Sequence, residues 1–248
     1  MSQTSAQIID GTRIPDAMAS TNKYASAEFF EFLWRTSGIL YVVFFIVIAV
    51  IYGYQPGVGA SPDALAAFYG GNRTWILAAS ALSAFNLLNL LWFAMALKAT
   101  LTDTGQDGWG GAAIAAGAMF GGLSIVTFSI GAVLAFSVGG PGNPALASAL
   151  NDLMWALVVL TSFPRAMLIM SGVFGFWRSG QISNGLFTLG VLGVVLGVVG
   201  GFAWLSGGGP LSPDGMYSRF VSPALLLVWT LFVTRVLLSK SRAAGAGW

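Results

Sequence analysis

The sequence predicts an all-α polytopic transmembrane helix bundle of about six spans, on three observations. Hydrophobic residues make up 56% of the 248-residue chain and charged residues only 8%, whereas a soluble domain carries about 25% charge. Six segments are long and apolar enough to cross a bilayer, which takes about 20 residues as a helix. Clusters of Gly, Pro, Asn and Asp separate them, and these are the residues that punctuate regular structure. A chain so poor in polar groups cannot cover a water-facing surface, and in lipid the backbone must satisfy its own hydrogen bonds.

The spans fall at 37–54, 74–97, 110–137, 150–177, 183–205 and 218–238, in a single transmembrane domain over 1–248 with a tail at 1–25. Gln55-Pro56-Gly57 ends the first. Asp103 to Gly108 separates the second from the third, and Gly139 to Pro144 the third from the fourth. Arg178-Ser179-Gly180 closes the fourth, and Ser206 to Pro210 the fifth. The third and fourth are long enough to tilt or to emerge from the lipid. Ser61-Pro62-Asp63 reads as an N-cap with Pro at the first helical position, starting a short outer helix that Gly70-Gly71 stops; Asn143-Pro144 repeats the signal before the fourth span.

Residues 26–35 read either as an interfacial helix, with Ser26 as cap and Phe29, Phe30, Phe32, Leu33 and Trp34 on its apolar side, or as an extension of the first span. Residues 1–28 contain no apolar core of a secretory signal, so the run from Ile39 reads as a retained helix.

Positive charge sets the expected orientation. With the N-terminus inside, the cytoplasmic side holds Arg13, Lys23, Arg35, Lys98, Arg178, Arg235, Lys240 and Arg242; the outer side holds Arg73 and Arg219. Both termini are therefore expected in the cytoplasm, in a membrane of the bacterial plasma-membrane kind. Trp34, Trp109 and Trp177 near inner ends, and Tyr52, Tyr54, Trp75, Trp204 and Tyr217 near outer ends, are placed as an aromatic belt.

Composition also excludes chemistry. With no Cys and no His there is no disulfide, His-ligated haem, thiolate or imidazole zinc site, or Ser-His-Asp triad. A net charge of +2 is too weak and scattered for a nucleic-acid surface. The three Lys, at 23, 98 and 240, lie away from span centres, against a retinal Schiff base. There is no P-loop and no G-x-S-x-G element. No enzyme activity and no cofactor are expected, and no motif ties the chain to a particular family.

Arg165 is the most informative residue. It follows Pro164 within the fourth span, 13 residues before Arg178. At about 1.5 Å per residue that is roughly 20 Å deep, where a cation costs about 2.5–3.5 kcal/mol on insertion scales. It should face the bundle interior and find acceptors there. Pro164 frees a carbonyl one turn earlier, so a polar pocket at the break is one expectation and a structural clamp the other. Asn86 and Asn89 of the second span lie at similar depth and form a drifting polar stripe with Ser83; their amide oxygens can accept from a guanidinium. Interhelical glue is the plainer reading of the same residues. Asp152 is the one acid near a span interior. It sits about 220° around the helix from Arg165, so it reads as an outer-vestibule proton or cation site, or as an interfacial group in water.

The fifth span carries a glycine stripe, Gly190, Gly193, Gly197 and Gly200, with Gly201 extending a G-x-x-x-G series. Gly117 and Gly121 form another pair in the third span, and close packing of these two helices is expected. Membrane lipids are the expected surroundings, with a homo-oligomer or a membrane-complex partner as further possibilities. The functional expectation is binding or transport of a small amphipathic or anionic molecule in a pocket around Arg165, with Asn86, Asn89, Ser83 and Asp152 contributing. The alternative is a non-catalytic structural or assembly subunit of a larger membrane complex.

Overall fold

A computed structural model of the chain describes residues 27–137 and 143–245. These form eight α-helices: α1 (Ala27–Tyr52), α2 (Pro62–Leu65), α3 (Arg73–Asp103), α4 (Asp107–Ser137), α5 (Pro144–Leu160), α6 (Ser162–Arg178), α7 (Asn184–Gly201) and α8 (Ser222–Gly245). Among the described residues six helical segments are long and apolar enough to cross a membrane, at Phe32–Tyr52, Arg73–Asp103, Asp107–Ser137, Pro144–Arg178, Asn184–Gly201 and Tyr217–Ser239. The fold is the expected all-α transmembrane bundle. An even number of crossings leaves both described ends on one face, called proximal here; the opposite face is distal.

The helices pack as a ring in chain order. α3 lies between α1 and α4, α4 meets both α5 and α6, α7 packs on α6, and α8 closes against α1. Most neighbours in the ring are sequential, as short connections favour, the α4–α6 and α1–α8 contacts being the main exceptions. α5 and α6 together make the most enclosed crossing, with 56% of its most apolar stretch buried, against 17% for the peripheral α7.

Several boundaries move. α1 is one helix from Ala27, so of the two readings of 26–35 the extension of the first span is the one that holds; the proposed cap Ser26 lies outside the described residues. α2 starts as expected, with Ser61 Oγ accepting from the Ala64 N–H at 3.3 Å. Gly70-Gly71 does not stop it: a π-turn over Ala66–Gly70 carries the helical path on, and only Asn72 separates it from α3. Both glycines adopt ordinary helical conformation there, so their freedom is unused. Asn143 Oδ1 caps α5 by accepting from Ala145 N–H at 3.0 Å and Leu146 N–H at 3.4 Å.

The fourth crossing is broken at Thr161, which keeps near-helical angles of φ −62 and ψ −16. Pro164 is the cause, since it has no N–H for the carbonyl of Leu160 and its ring crowds the preceding turn. α6 ends at Arg178, and the chain reverses two residues later at Gly180, whose φ of +69 suits glycine alone without cost. The reversal lets Gln181 N–H reach back to Phe176 O at 2.8 Å.

Two apolar clusters fill the ring. The proximal one is built on Phe93, Leu97, Leu101, Leu168, Phe176 and Val233. The distal one is built on Ile48, Tyr69, Ile76, Leu134 and Met154. Between them, on every helix that lines the interior of this half of the ring, the buried side chains turn polar: Ser83, Asn86 and Asn89 on α3, Thr127 on α4, and Thr161, Ser162 and Arg165 at the α5–α6 break.

Candidate functional site at mid-bundle

Arg165 sits in this polar layer and is only 4% exposed. Its side chain curls back along its own crossing. Nε donates to Thr161 O at 3.2 Å, and Nη2 donates to Val158 O at 3.3 Å and to Ser162 Oγ at 2.9 Å. The acceptors come from the turn before Pro164, where the helix ladder is interrupted. The break and the cation are therefore one local device, written within Val158–Arg165. The guanidinium carbon also stands 5.8 Å from the centre of the Phe120 ring on α4, within cation–π range.

Neither Asn86 nor Asn89 is among the hydrogen-bond partners of Arg165, contrary to the sequence expectation. Asn86 Nδ2 donates to the Tyr41 backbone carbonyl on α1 at 3.1 Å, and Asn89 Nδ2 approaches Asn86 Oδ1 at 3.5 Å. Ser83 Oγ donates to Ser80 O within α3 at 2.7 Å. The reason is the ring order: α3 sits between α1 and α4 and only grazes α6, so equal depth does not bring the Asn pair to the guanidinium. The polar stripe bonds α3 to α1 instead.

Tyr41 is the residue that sequence reading missed. It is 3% exposed, and its hydroxyl has no hydrogen-bond partner among the described residues. Among the described residues the hydroxyls of Tyr41 and Tyr217 are the groups in electrostatic range of Arg165, and no acidic group is. Among the described residues Nη1 of Arg165 also meets no protein acceptor, because its three hydrogen bonds are made by Nε and Nη2. A small cavity of about 30 Å³ lies beside this layer, lined by Tyr41, Ser83, Asn86, Phe120 and Ser124 among others. It holds space for a water or a monatomic ion, by the rule that about one probe sphere of volume suffices. The only signal in the sequence was a Tyr six positions into the span after Arg35.

A larger cleft of about 160 Å³ opens toward the distal face between α1, α5 and the start of α8. It shares Phe45, Ile48 and Phe128 with the small cavity, and Val158, whose carbonyl takes Arg165 Nη2, lines it. Its rim is Arg219 and Gln55. Arg219 Nη1 donates to Gln55 O at 2.9 Å, Nε donates to Asp214 O at 2.5 Å, and the guanidinium lies 4.5 Å from the Trp155 ring centre. A π-turn over Tyr217–Val221 aims Arg219 this way.

Asp152 is half-buried in the distal part of α5. Its Oδ1 accepts from the Gly59 N–H at 2.9 Å, anchoring the loop after α1 onto α5. Asn151 Nδ2 and Trp155 Nε1 hold the same loop through Gly57 O and Pro56 O, both at 2.8 Å. Tyr69 donates to Asn151 Oδ1 at 3.1 Å from the distal π-turn, and burial pushes its phenol well above the ordinary range, helped by nearby Tyr52.

The glycine expectations need one correction. Gly117 and Gly121 of α4 face Ala94 and Leu87 of α3, not α7. On α7, Gly190 meets Val173, Gly197 meets Ala166, Gly200 meets Ser162 and Tyr217, and Gly201 meets Phe163, so the stripe is used against α6 and the start of α8. Gly193 alone of the stripe faces open space. Of the expected belt, Trp34, Trp75, Trp177, Trp204 and Tyr54 are exposed, whereas Tyr52 is buried with its hydroxyl 3.1 Å from Ser80 Oγ, and Tyr217 donates to Leu196 O across to α7. Trp109 stacks on Phe174 at 5.3 Å between centroids.

Compared with known proteins, the chain matches no family model, no curated protein and no solved structure. The fold and the mid-bundle layer define it as a polytopic helical membrane protein with a buried cation held by carbonyl and hydroxyl oxygens of its own crossing.

Proposed function

We propose that this protein binds a small anion within the membrane at Arg165, taken in from the distal face. The observation that carries the reading is a buried guanidinium in electrostatic range of a Tyr41 hydroxyl, with no counter-charge for the one and no hydrogen-bond partner for the other among the described residues. A buried charge is retained only where charge or hydrogen bonds compensate it. Carbonyl and hydroxyl oxygens compensate Arg165 in part; Nη1 is left over. One guanidinium and one phenol O–H, in a layer whose space of about 30 Å³ is lined by Tyr41 and not by Arg165, suit a small anion better than the bulky amphipathic molecule that composition alone allows. The distal cleft, sharing walls with that space, supplies a route that stops at the Arg219–Gln55 contact.

The test uses the full chain purified in detergent, with gluconate replaced by chloride, bromide or nitrate at constant ionic strength. A rise in the unfolding temperature that grows with the logarithm of anion concentration is expected, corresponding to about 2.7 kcal/mol of stabilisation at a hundredfold excess over Kd. Arg165→Met should remove the rise while leaving a folded chain. A flat response of the unmutated chain to all three anions overturns the reading. If the response is found, anion flux into proteoliposomes separates transport from binding.

The alternative, a non-catalytic subunit of a larger complex, draws on the peripheral α7, whose Leu189, Leu192, Val195 and Phe202 face outward. Apart from Gly193, its glycine stripe, however, packs on α6 and the start of α8, which leaves mainly aliphatic side chains rather than a close-approach seam for a partner.

A further inference from the structure

The distal cleft between α1, α5 and the start of α8 encloses about 160 Å³, room for about five water-sized groups at about 30 Å³ each. Its walls are mostly apolar, with Phe45, Ile48, Phe128 and Met154 among them. Six lining residues carry a polar group on the side chain, and four of these groups are satisfied within the protein. The Tyr52 hydroxyl lies 3.1 Å from Ser80 Oγ, and Thr127 Oγ1 donates to Leu123 O at 2.8 Å. Trp155 Nε1 donates to Pro56 O at 2.8 Å, and Ser218 Oγ to Ser212 O at 3.2 Å. Among the described residues no acid lines the cleft.

Gln55 and Arg219 are the two left over. Gln55 is 7% exposed, yet its side-chain amide has no hydrogen-bond partner among the described residues, and neither amide atom is sealed from open space. Arg219 spends Nη1 on the Gln55 backbone carbonyl and Nε on Asp214 O, which leaves Nη2 without a partner among the described residues. Asp214 is in electrostatic range of Arg219, but its Oδ1 accepts from Ser212 Oγ at 2.9 Å and it does not line the cleft. The Nη1 bond to Gln55 O sets the guanidinium beside the Gln55 residue, so both unspent groups share one rim. A buried polar group without a partner forfeits the hydrogen bonds it makes in water. Amide Nε2 and guanidinium Nη2 are donors, and together they match the two oxygens and single charge of a carboxylate. A phosphate brings more oxygens and more charge than this pair can satisfy, and the apolar walls offer the remainder nothing.

We propose that the distal cleft is a binding site for a short apolar monocarboxylate, its carboxylate on Arg219 and the Gln55 amide and its hydrocarbon or aromatic body against Phe45, Ile48, Phe128 and Met154. A few well-placed polar groups on an apolar wall are the ordinary make-up of a small-molecule site. Neither Arg219 nor Gln55 is a hydrogen-bond partner of Arg165, so this site stands or falls separately from the anion reading. No bond is made or broken.

The test uses the full chain in phosphatidylcholine nanodiscs with para-fluorobenzoate, followed by fluorine NMR line broadening against empty nanodiscs. Saturable broadening is expected, competed by benzoate but not by acetate, which has the head without the body. The alcohol of the same body, para-fluorobenzyl alcohol, should bind several-fold more weakly because it lacks the charge. Gln55→Leu removes the amide but keeps the carbonyl that holds Arg219, and should weaken binding about tenfold. Ala49 is exposed and lines the cleft, so Ala49→Phe fills it from the rim and should weaken binding by at least as much. Gly122→Leu, on α4 where a side chain meets nothing within 4 Å, should leave binding unchanged. Broadening that does not saturate, that the alcohol produces equally, or that survives both Gln55→Leu and Ala49→Phe unchanged shows partition into lipid and overturns the proposal.

Discussion

Asn86 holds the backbone of Tyr41, its Nδ2 donating to the Tyr41 carbonyl at 3.1 Å. Through that bond the polar stripe of α3 fixes the α1 turn whose phenol lies in electrostatic range of Arg165. The Asn pair therefore reaches the cation indirectly. Asn86→Leu should cost about 0.6 kcal/mol, the mean for interhelical hydrogen bonds in membranes, measured by unfolding in mixed micelles. If Asn86 acts by placing Tyr41, then Asn86→Leu and Tyr41→Phe each weaken the anion response, and the double variant is no weaker than the worse single one. Additive losses would show that the two act separately.

Arg165 should not be replaceable by Lys. The planar fork spans Thr161 O, Val158 O and Ser162 Oγ together, and an ammonium group offers no matching geometry. Arg165→Lys should lower the unfolding temperature more than Arg165→Met, because Met removes the charge while keeping volume. Ser162→Ala deletes one acceptor and should cost about 1 kcal/mol. Thermal unfolding followed by tryptophan fluorescence ranks the three.

Glycines with closed surroundings should behave differently from the open one. A Cβ at Gly172 would overlap the Trp229 ring, at 2.5 Å from its nearest atom, and at Gly38 it would strike Thr234 Oγ1 and the Phe93 ring. Overpacking of this kind costs about 1–3 kcal/mol. Gly172→Ala and Gly38→Ala should both destabilise the bundle, and Gly193→Ala should be neutral or slightly stabilising through helix propensity. Equal effects at all three sites would contradict the packing described.

Alkaline pH should loosen the distal cap. Tyr69, outside the spans, has its phenol raised above the ordinary 10.0, mainly by burial. A raised pKa means the folded chain holds the proton more tightly than the unfolded chain. The contribution is complete below pH 10.0 and is lost as pH rises through the higher folded value. Unfolding temperature should therefore show no Tyr69-dependent slope near neutrality and a downward one above the ordinary phenol range. Tyr69→Phe should flatten part of that slope while lowering stability at neutral pH, since Asn151 Oδ1 loses its donor.

The amino-acid sequence by itself determined the class of the molecule and most of its plan. Spans, caps and breaks are local properties: hydropathy over about 20 residues, Ser61 and Asn143 ahead of their prolines, and Pro164 within the fourth crossing. The burial of Arg165 was legible for the same reason, because its depth follows from chain spacing and its acceptors lie on its own crossing, at the α5–α6 break. Only the tertiary structure decided which helices touch. Asn86 and Arg165 share a depth yet bond to different partners, Asp152 anchors Gly59, and the glycines of α4 and α7 face α3 and α6 instead of each other. Depth is a one-dimensional quantity carried by a single chain, whereas azimuth and ring order come from fitting six crossings together. In lipid, with no apolar driving force to separate inward from outward faces, the hydrophobic pattern carries almost no record of that fit.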